Sequence, residues 1–474
     1  MKKNHLSRIA LLLAAVMMLS LCGPMAALAE DPIILRVYDW SDSVLVYRQK
    51  FHEEFMANNP DIKIEYTQLT IDQFNSTVIG AIQNGEGPDL FPVPTTLNLT
   101  TAVNEGWFLP MEDYVSKEFV DSFLDGILAE GVQRKNGVLY TVPESGSLSN
   151  SMLFYNKDIL AECGLEVPTT FEAFREACRI VTEKGAGRYY GLIEGGNQAN
   201  RCEILLRALV QAAGGKISIN SRALTVNGRV PYDTEEVRAA VELLQGIVED
   251  GSLYPDTPSI SAPEARELFA QGKAAFLCQG LWCIGTWAND HPELNYGVMM
   301  PPKGADNGYV ANVEGIPWMG IYAKTKYPEA AARYLEALYD TTTYHYQADV
   351  VKSGSYVSAI KGVNEANMVD PVMKEYYEAA SQCIDIPIAT SRDVRFYDFY
   401  STVVGTTPSL ASITQGILNQ SIDEPMDYLT MLSDAETAAW KTACDTLGID
   451  FAELEFSNWV AGQPYTAEDY AALQ

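Results

Sequence analysis

LYTVPESGSLSNSMLFYNKDILAECG, residues 139–164, carries four instructions in one passage. Residues 139–142 end a strand, 143–150 form a polar crossing, 152–155 make a second strand, and a helix opens at Asn156 or Lys157. Ser and Gly in the crossing favour turns and hydrogen-bond freely, yet apolar strand signals flank it. A segment passing between two lobes needs this composition: hydroxyls and backbone groups to meet a polar ligand, and torsions that change without opening a core. Glu144 stands at its start. The rival reading is a surface loop between two strands of one domain.

On the N-terminal side, strands and helices alternate. Residues 33–38 form a nearly continuous apolar run, as in a parallel strand covered on both faces, and end in Asp39-Trp40-Ser41-Asp42. Val44, Tyr47, Phe51 and Phe55 recur at helical spacing until Asn58-Asn59-Pro60. Ile62, Ile64 and Tyr66 alternate with charged residues as a second strand; Ile71, Phe74, Val78 and Ile82 give a second amphipathic helix, and residues 89–93 a third strand. A doubly wound α/β sheet is the economical topology, with ligands expected beyond the carboxyl ends of its strands, at 39–42 and 92–96.

On the C-terminal side the grammar repeats. Val237, Val241, Leu244 and Val248 form a helical stripe opened by Asp233 with Glu236 in capping-box spacing and closed at Gly251. A helix over 264–270, a buried strand over 274–277, strands over 310–316 and 319–322 and a helix from Pro328 follow. No linker separates two sequential domains, so the lobes interleave and the chain crosses between them more than once.

Lys2, Lys3 and Arg8 precede an apolar run over 9–21, and Ala27-Leu28-Ala29 has the small-x-small pattern of a signal peptidase site, so cleavage after Ala29 and export are expected. Cys22 offers a rival lipid-anchoring site, but Leu21 is large for the position before it. Losing residues 1–29 removes three positive and no negative charges, taking the formal balance from -29 to -32. Such a surface repels nucleic acid and anionic lipid. The seven remaining cysteines are scattered among apolar neighbours, and His52, His291 and His345 stand far apart, so no metal site or cofactor is read here.

Five pieces then occur in order: Gly87-Pro88-Asp89-Leu90; Leu139 to Pro143 with Leu153-Phe154-Tyr155-Asn156-Lys157-Asp158-Ile159-Leu160; Gly164 to Phe171; Phe269-Ala270-Gln271-Gly272-Lys273-Ala274-Ala275-Phe276 leading to Gly280-Leu281-Trp282; and Lys324 to Ala331. Together they resemble the family 1 extracellular solute-binding proteins, the maltose-binding-protein-like, carbohydrate-capturing subunits of bacterial ABC importers. The resemblance implies two interleaved, doubly wound α/β lobes with a hinged ligand cleft, of the periplasmic binding protein type II kind. It also implies a carbohydrate ligand, an ABC permease in the membrane as partner, a monomer, and binding without chemistry. Residues 30–142 and 303–350 would form one lobe and 143–302 with 351–474 the other, with crossings near 141–147, 300–305 and 348–355. Two stretches depart from the pattern: Pro92-Val93-Pro94, where relatives carry an aromatic, and 344–394, which follows it loosely.

A sugar presents apolar C–H faces and a rim of hydroxyls, so its site needs aromatic platforms beside polar side chains. Trp40 lies past the first strand, Trp282 matches the family's tryptophan after a glycine, Trp318 flanks the strand after the second crossing, and Tyr397 belongs to a cluster with Phe396, Phe399 and Tyr400. Asp39, Asp42, Glu144, Glu194, Asn197 and Arg395 are the candidates for hydroxyls, against the plain reading of solvated acids and core tryptophans. Two other classes compete: a same-fold binder of a peptide, polyamine or other solute, or a sensor input; and a secreted glycosidase, for which no acid pair is pinned to one motif.

Overall fold

The computed structural model describes residues 32–149, 151–218, 222–312 and 317–473. The expected signal segment, with Cys22 and the cleavage site after Ala29, lies outside them. Within them the strands are β1 (Ile33–Asp39), β2 (Ile62–Gln68), β3 (Leu90–Pro92), β4 (Arg134–Lys135), β5 (Val138–Leu139), β6 (Thr141–Val142), β7 (Leu153–Asn156), β8 (Tyr190–Ile193), β9 (Ala274–Cys278), β10 (Tyr296–Met299) and β11 (Met319–Ile321).

Two sheets organise these strands. The first runs β2-β1-β3-β11-β6, the second β10-β7-β9-β8, and β4 and β5 form a small hairpin. β1 pairs in parallel with β2 from Ile33↔Ile62 to Asp39↔Gln68, and with β3 through Val37↔Leu90. The crossover helices Leu45–Asn58 and Ile71–Gln83 supply the αβ layers, the latter opened by a capping box between Thr70 and Gln73. β11, far later in the chain, enters antiparallel between β3 and β6. In the second sheet β8 and β9 are parallel while β7 runs against both β9 and β10. This is the expected α/β architecture of two interleaved lobes.

The chain passes from the first sheet at Val142 to the second at Leu153, and from Met299 back to Met319. Residues after Met299 stay beside the second sheet for a while: the backbone N–H groups of Lys303, Gly304 and Asn312 donate to the carbonyls of Thr169, Ala212 and Ile384. The 355–361 segment keeps to the first: Val357 and Ala359 carbonyls accept from Gly146 and Leu124, both at 2.8 Å. Helix Pro371–Ala380 then lies against β10, its Glu375 accepting from Val298 N–H.

Three local readings change. Residues 139–142 do not form one strand, because the N–H groups of Tyr140 and Thr141 turn to the Gln133 carbonyl and split β5 from β6. Helix Glu235–Glu249 is capped by Thr234, whose hydroxyl accepts from Val237 N–H, because Asp233 is taken by Arg229 at 2.8 Å. Of the strand expected over 310–316, residues 313–316 lie outside the described part, and Ala311 makes an isolated bridge to Ile384 instead of joining a sheet. All seven described cysteines are free and buried.

Candidate ligand cleft

The carboxyl end of β1 carries a dense polar cluster. Asp39 is buried, and its Oδ1 accepts from the N–H groups of Trp40 (2.7 Å) and Ser41 (3.2 Å) and from Trp318 Nε1 (3.3 Å). Its Oδ2 accepts from the Tyr66 hydroxyl (3.1 Å) and lies 3.8 Å from Arg48 Nη2. Arg48 is sandwiched between the Trp318 and Tyr346 rings, its guanidinium carbon 4.6 and 4.7 Å from their centroids. Trp318, only 1% exposed, is thus a wall of this buried ion pair rather than a surface of the cleft.

Glu144 joins the cluster from the first crossing. The Ser41 hydroxyl has one hydrogen but contacts both Asp39 Oδ1, at 3.1 Å, and Glu144 Oε1. It can donate to only one of them, so a proton on the other carboxyl completes the chain. Asp39 is the carboxyl already ringed by donors, so the Ser41 hydrogen points to it and the proton falls to Glu144. Burial of the carboxyl and the neighbouring Asp39 charge push Glu144 up to about 8, while part of its side chain stays exposed. The Tyr356 hydroxyl, from the 355–361 segment, faces the same carboxyl and accepts from Ser43 Oγ at 3.4 Å.

Trp40 itself is half-buried, meeting Phe74 edge to face at 4.8 Å. Asp42 is exposed and reaches across to Arg266 on helix Ala262–Ala270, with Oδ2 2.6 Å from Nη2. That pair ties the end of β1 to the helix that leads into β9.

The second cluster sits at the adjacent carboxyl ends of β8 and β9. Glu194 is fully buried; its Oε1 accepts from Gly195 N–H (2.8 Å) and Gln279 Nε2 (3.4 Å) and lies 3.8 Å from Arg201. Its Oε2 has no partner among the described residues, and burial outweighs Arg201 to raise the carboxyl to about 7. Trp282 opens helix Trp282–Asp290, half-buried, with its ring folded over Gly280: a Cβ there would lie 2.1 Å from Trp282 Cζ3. Glycine is therefore what lets the indole lie flat at this turn. Asn197 is exposed nearby and donates to the Ser259 carbonyl at 3.3 Å.

Tyr397 covers Gly131, and its carbonyl accepts from Thr100 Oγ1 at 3.1 Å, so the 397 segment meets the first lobe. Arg395 points elsewhere: it is exposed, paired with Asp393, and bound to carbonyls at the end of helix Pro425–Leu447. The structure thus gathers Asp39, Trp40, Asp42, Glu144 and Trp318 at one sheet end and Glu194, Asn197 and Trp282 at the other. Arg395 joins neither group. The residues missed in the sequence are Arg48, Arg266 and Tyr356. Arg48 had a signal, a lone cation on the buried stripe of Val44, Phe51 and Phe55.

The family model for bacterial extracellular solute-binding proteins matches residues 41–343. The chain belongs to this family. Its match to the multiple sugar-binding protein of Streptococcus mutans serotype c is 22% identical over 340 residues, 71% of this chain and 77% of the other. The galactooligosaccharide-binding protein of Bacillus subtilis is 27% identical over 253 residues, 52% of this chain and 55% of its own. Among solved structures, an ABC transporter solute-binding protein of Thermotoga lettingae bound with α-D-tagatose is similar at TM-score 0.68 and 17% identity, covering 87% of this chain and 100% of that one. A solute-binding protein in complex with raffinose gives 0.66 and 16%, covering 86% and 100%. These structures share the solute-binding fold. No helix among the described residues is long and apolar enough to cross a membrane.

Proposed function

We propose that this solute-binding protein captures an oligosaccharide between its two sheets and hands it, chemically unchanged, to an ABC import permease. The observation that carries this reading is the pair of half-buried tryptophans, Trp40 and Trp282, each following a strand of a different sheet at the end where a buried carboxyl, Asp39 or Glu194, also stands. Indole faces cover the C–H faces of pyranoses and carboxyl groups take their hydroxyls. The sugar-binding names of the two sequence relatives support it.

Trp40, Trp282 and Tyr397 are the platforms, and Asp42, Glu144 and Asn197 the hydroxyl partners. Asp39, Glu194 and Trp318, all buried, hold them in place. We take the first lobe as the chain up to Val142 with about 317–367, and the second as 153–312 with the remainder, in place of the expected 303–350 and 351–474, because 303–312 bond beside the second sheet and 355–361 beside the first. The mature chain begins at Glu30, which intact-mass analysis of exported protein tests; a lipid-modified Cys22 would replace that reading.

Calorimetric titration with raffinose, maltotriose and galactooligosaccharides tests the function, with chromatography of each sugar after prolonged incubation. Saturable binding and unaltered sugar are expected. Binding of peptides or polyamines alone, or protein-dependent cleavage, overturns it.

A further inference from the structure

Away from the cleft, the second lobe encloses a cavity of about 180 Å³ between helix Ala199–Ala212, the 400–406 segment and helix Pro425–Leu447. Arg207 lies nine residues along its helix from Gln198, about 13 Å from the end that borders Glu194 and Asn197. Nothing assigned to sugar binding above lines this space.

Its polar wall is a closed set of bonds with one opening. Glu203 Oε1 accepts from Arg207 Nε at 2.7 Å and lies 2.6 Å from Nη2 in the same ion pair. Glu436 accepts from the Tyr232 hydroxyl (3.1 Å) with one oxygen and from the Thr406 hydroxyl (3.2 Å) with the other. Arg207 Nη1 is buried and has no acceptor among the described residues; the Tyr232 hydroxyl lies beside the guanidinium but outside hydrogen-bond geometry with Nη1. A buried donor of this kind calls for an acceptor. The facing wall presents the rings of Tyr400 and Trp440 with Val403, and Val404 stands at the surface 76% exposed.

Charge narrows the occupant. One guanidinium faces two carboxylates, so an added anion meets net repulsion, and an added cation is repelled by the guanidinium and offers no acceptor to its unpartnered Nη1. What remains is an uncharged molecule that offers an oxygen to Arg207 and a C–H face to the aromatic wall.

We propose that this cavity is a second binding site, separate from the cleft, for one small uncharged hydroxylated molecule: a single sugar ring or a polyol. Saturation-transfer NMR on the full mature chain tests it, with D-glucose and xylitol as probes and acetate and tetramethylammonium as charged controls. The double variant Trp40→Ala/Trp282→Ala removes the proposed cleft platforms, so failure of the cleft reading and failure of this one are separable. Transfer to glucose or xylitol is expected in wild type and in that double variant. It should be lost in Val404→Trp, which plugs the mouth from an exposed position, and in Arg207→Gln, with circular dichroism confirming that both fold. Absence of transfer to both hydroxylated probes in the cleft variant overturns the proposal. So does transfer that survives both the plug and Arg207→Gln, or transfer confined to the charged controls.

Discussion

Trp282 and Trp318 show how one residue type serves two purposes at neighbouring addresses. Trp282 is half-buried on a glycine-flattened turn, so on the proposed reading its truncation removes a ligand surface more than a core. Trp282→Ala is expected to weaken oligosaccharide binding by ~2 to 4 kcal/mol with little change in melting temperature; a large loss of stability with normal affinity would assign the indole to the core instead. Trp318→Ala does the reverse. It removes the ring beneath Arg48 and a donor to Asp39, and denaturant unfolding should show a loss of about 3 to 5 kcal/mol. An unchanged unfolding midpoint would refute that role. Trp40 and Trp282 could be picked out as strand-end residues because period-two and period-3.6 patterns break there. The fate of Trp318 was not legible in the sequence, because the cation it covers, Arg48, stands some 270 positions earlier and nothing local announces their meeting.

Among the elements, helix Ala262–Ala270 deserves a test because it delivers Arg266 to Asp42 across the cleft. It opens on a full capping box in which the Ser261 hydroxyl accepts from Glu264 N–H and Glu264 returns to Ser261 N–H at 2.7 Å. Ser261→Ala should cost about 1 kcal/mol of unfolding free energy, and chemical denaturation that shows no shift would contradict it. The helices and parallel strands of the first 93 residues were readable because each is continuous and buries one periodic face. The pairs that failed to show were decided by competition between distant groups: Asp233 lost its cap to Thr234 because Arg229 held it, and Tyr140 ended a strand because Gln133 offered a carbonyl. The proposed cleft divides in the same way. The strand-end tryptophans and Glu144 proposed for it come from pattern and family, and Ser41 from the 39–42 strand end, whereas Tyr356 and Arg266 enter through three-dimensional contacts alone.

For the molecule as a whole, buried titratable groups set how stability follows pH. His52, buried beside Arg48, is lowered to about 3, so its contribution is present above 6.5 and is lost as pH falls toward 3. Glu144 and Glu194 are raised to about 8 and 7, and His291 is raised by its bond to Glu267; their contributions are present at low pH and fade as pH rises through those values. Above pH 6.5 only the second group acts. The melting temperature of ligand-free protein should therefore fall between pH 6.5 and 8.5, and Glu144→Gln should flatten part of that decline. A wild-type melting temperature that rises over this window would contradict the assignment of the proton to Glu144. The late strand β11 has a consequence of a different order. Because Met319–Ile321 separates β3 from β6, the first sheet stays in two pieces, β2-β1-β3 and β6, until more than 300 residues have been made. Circular dichroism of a chain ending at Asn312 should show no cooperative melting of that lobe, and a sharp transition there would refute the dependence. Most of the polypeptide thus leaves the ribosome before that sheet can close.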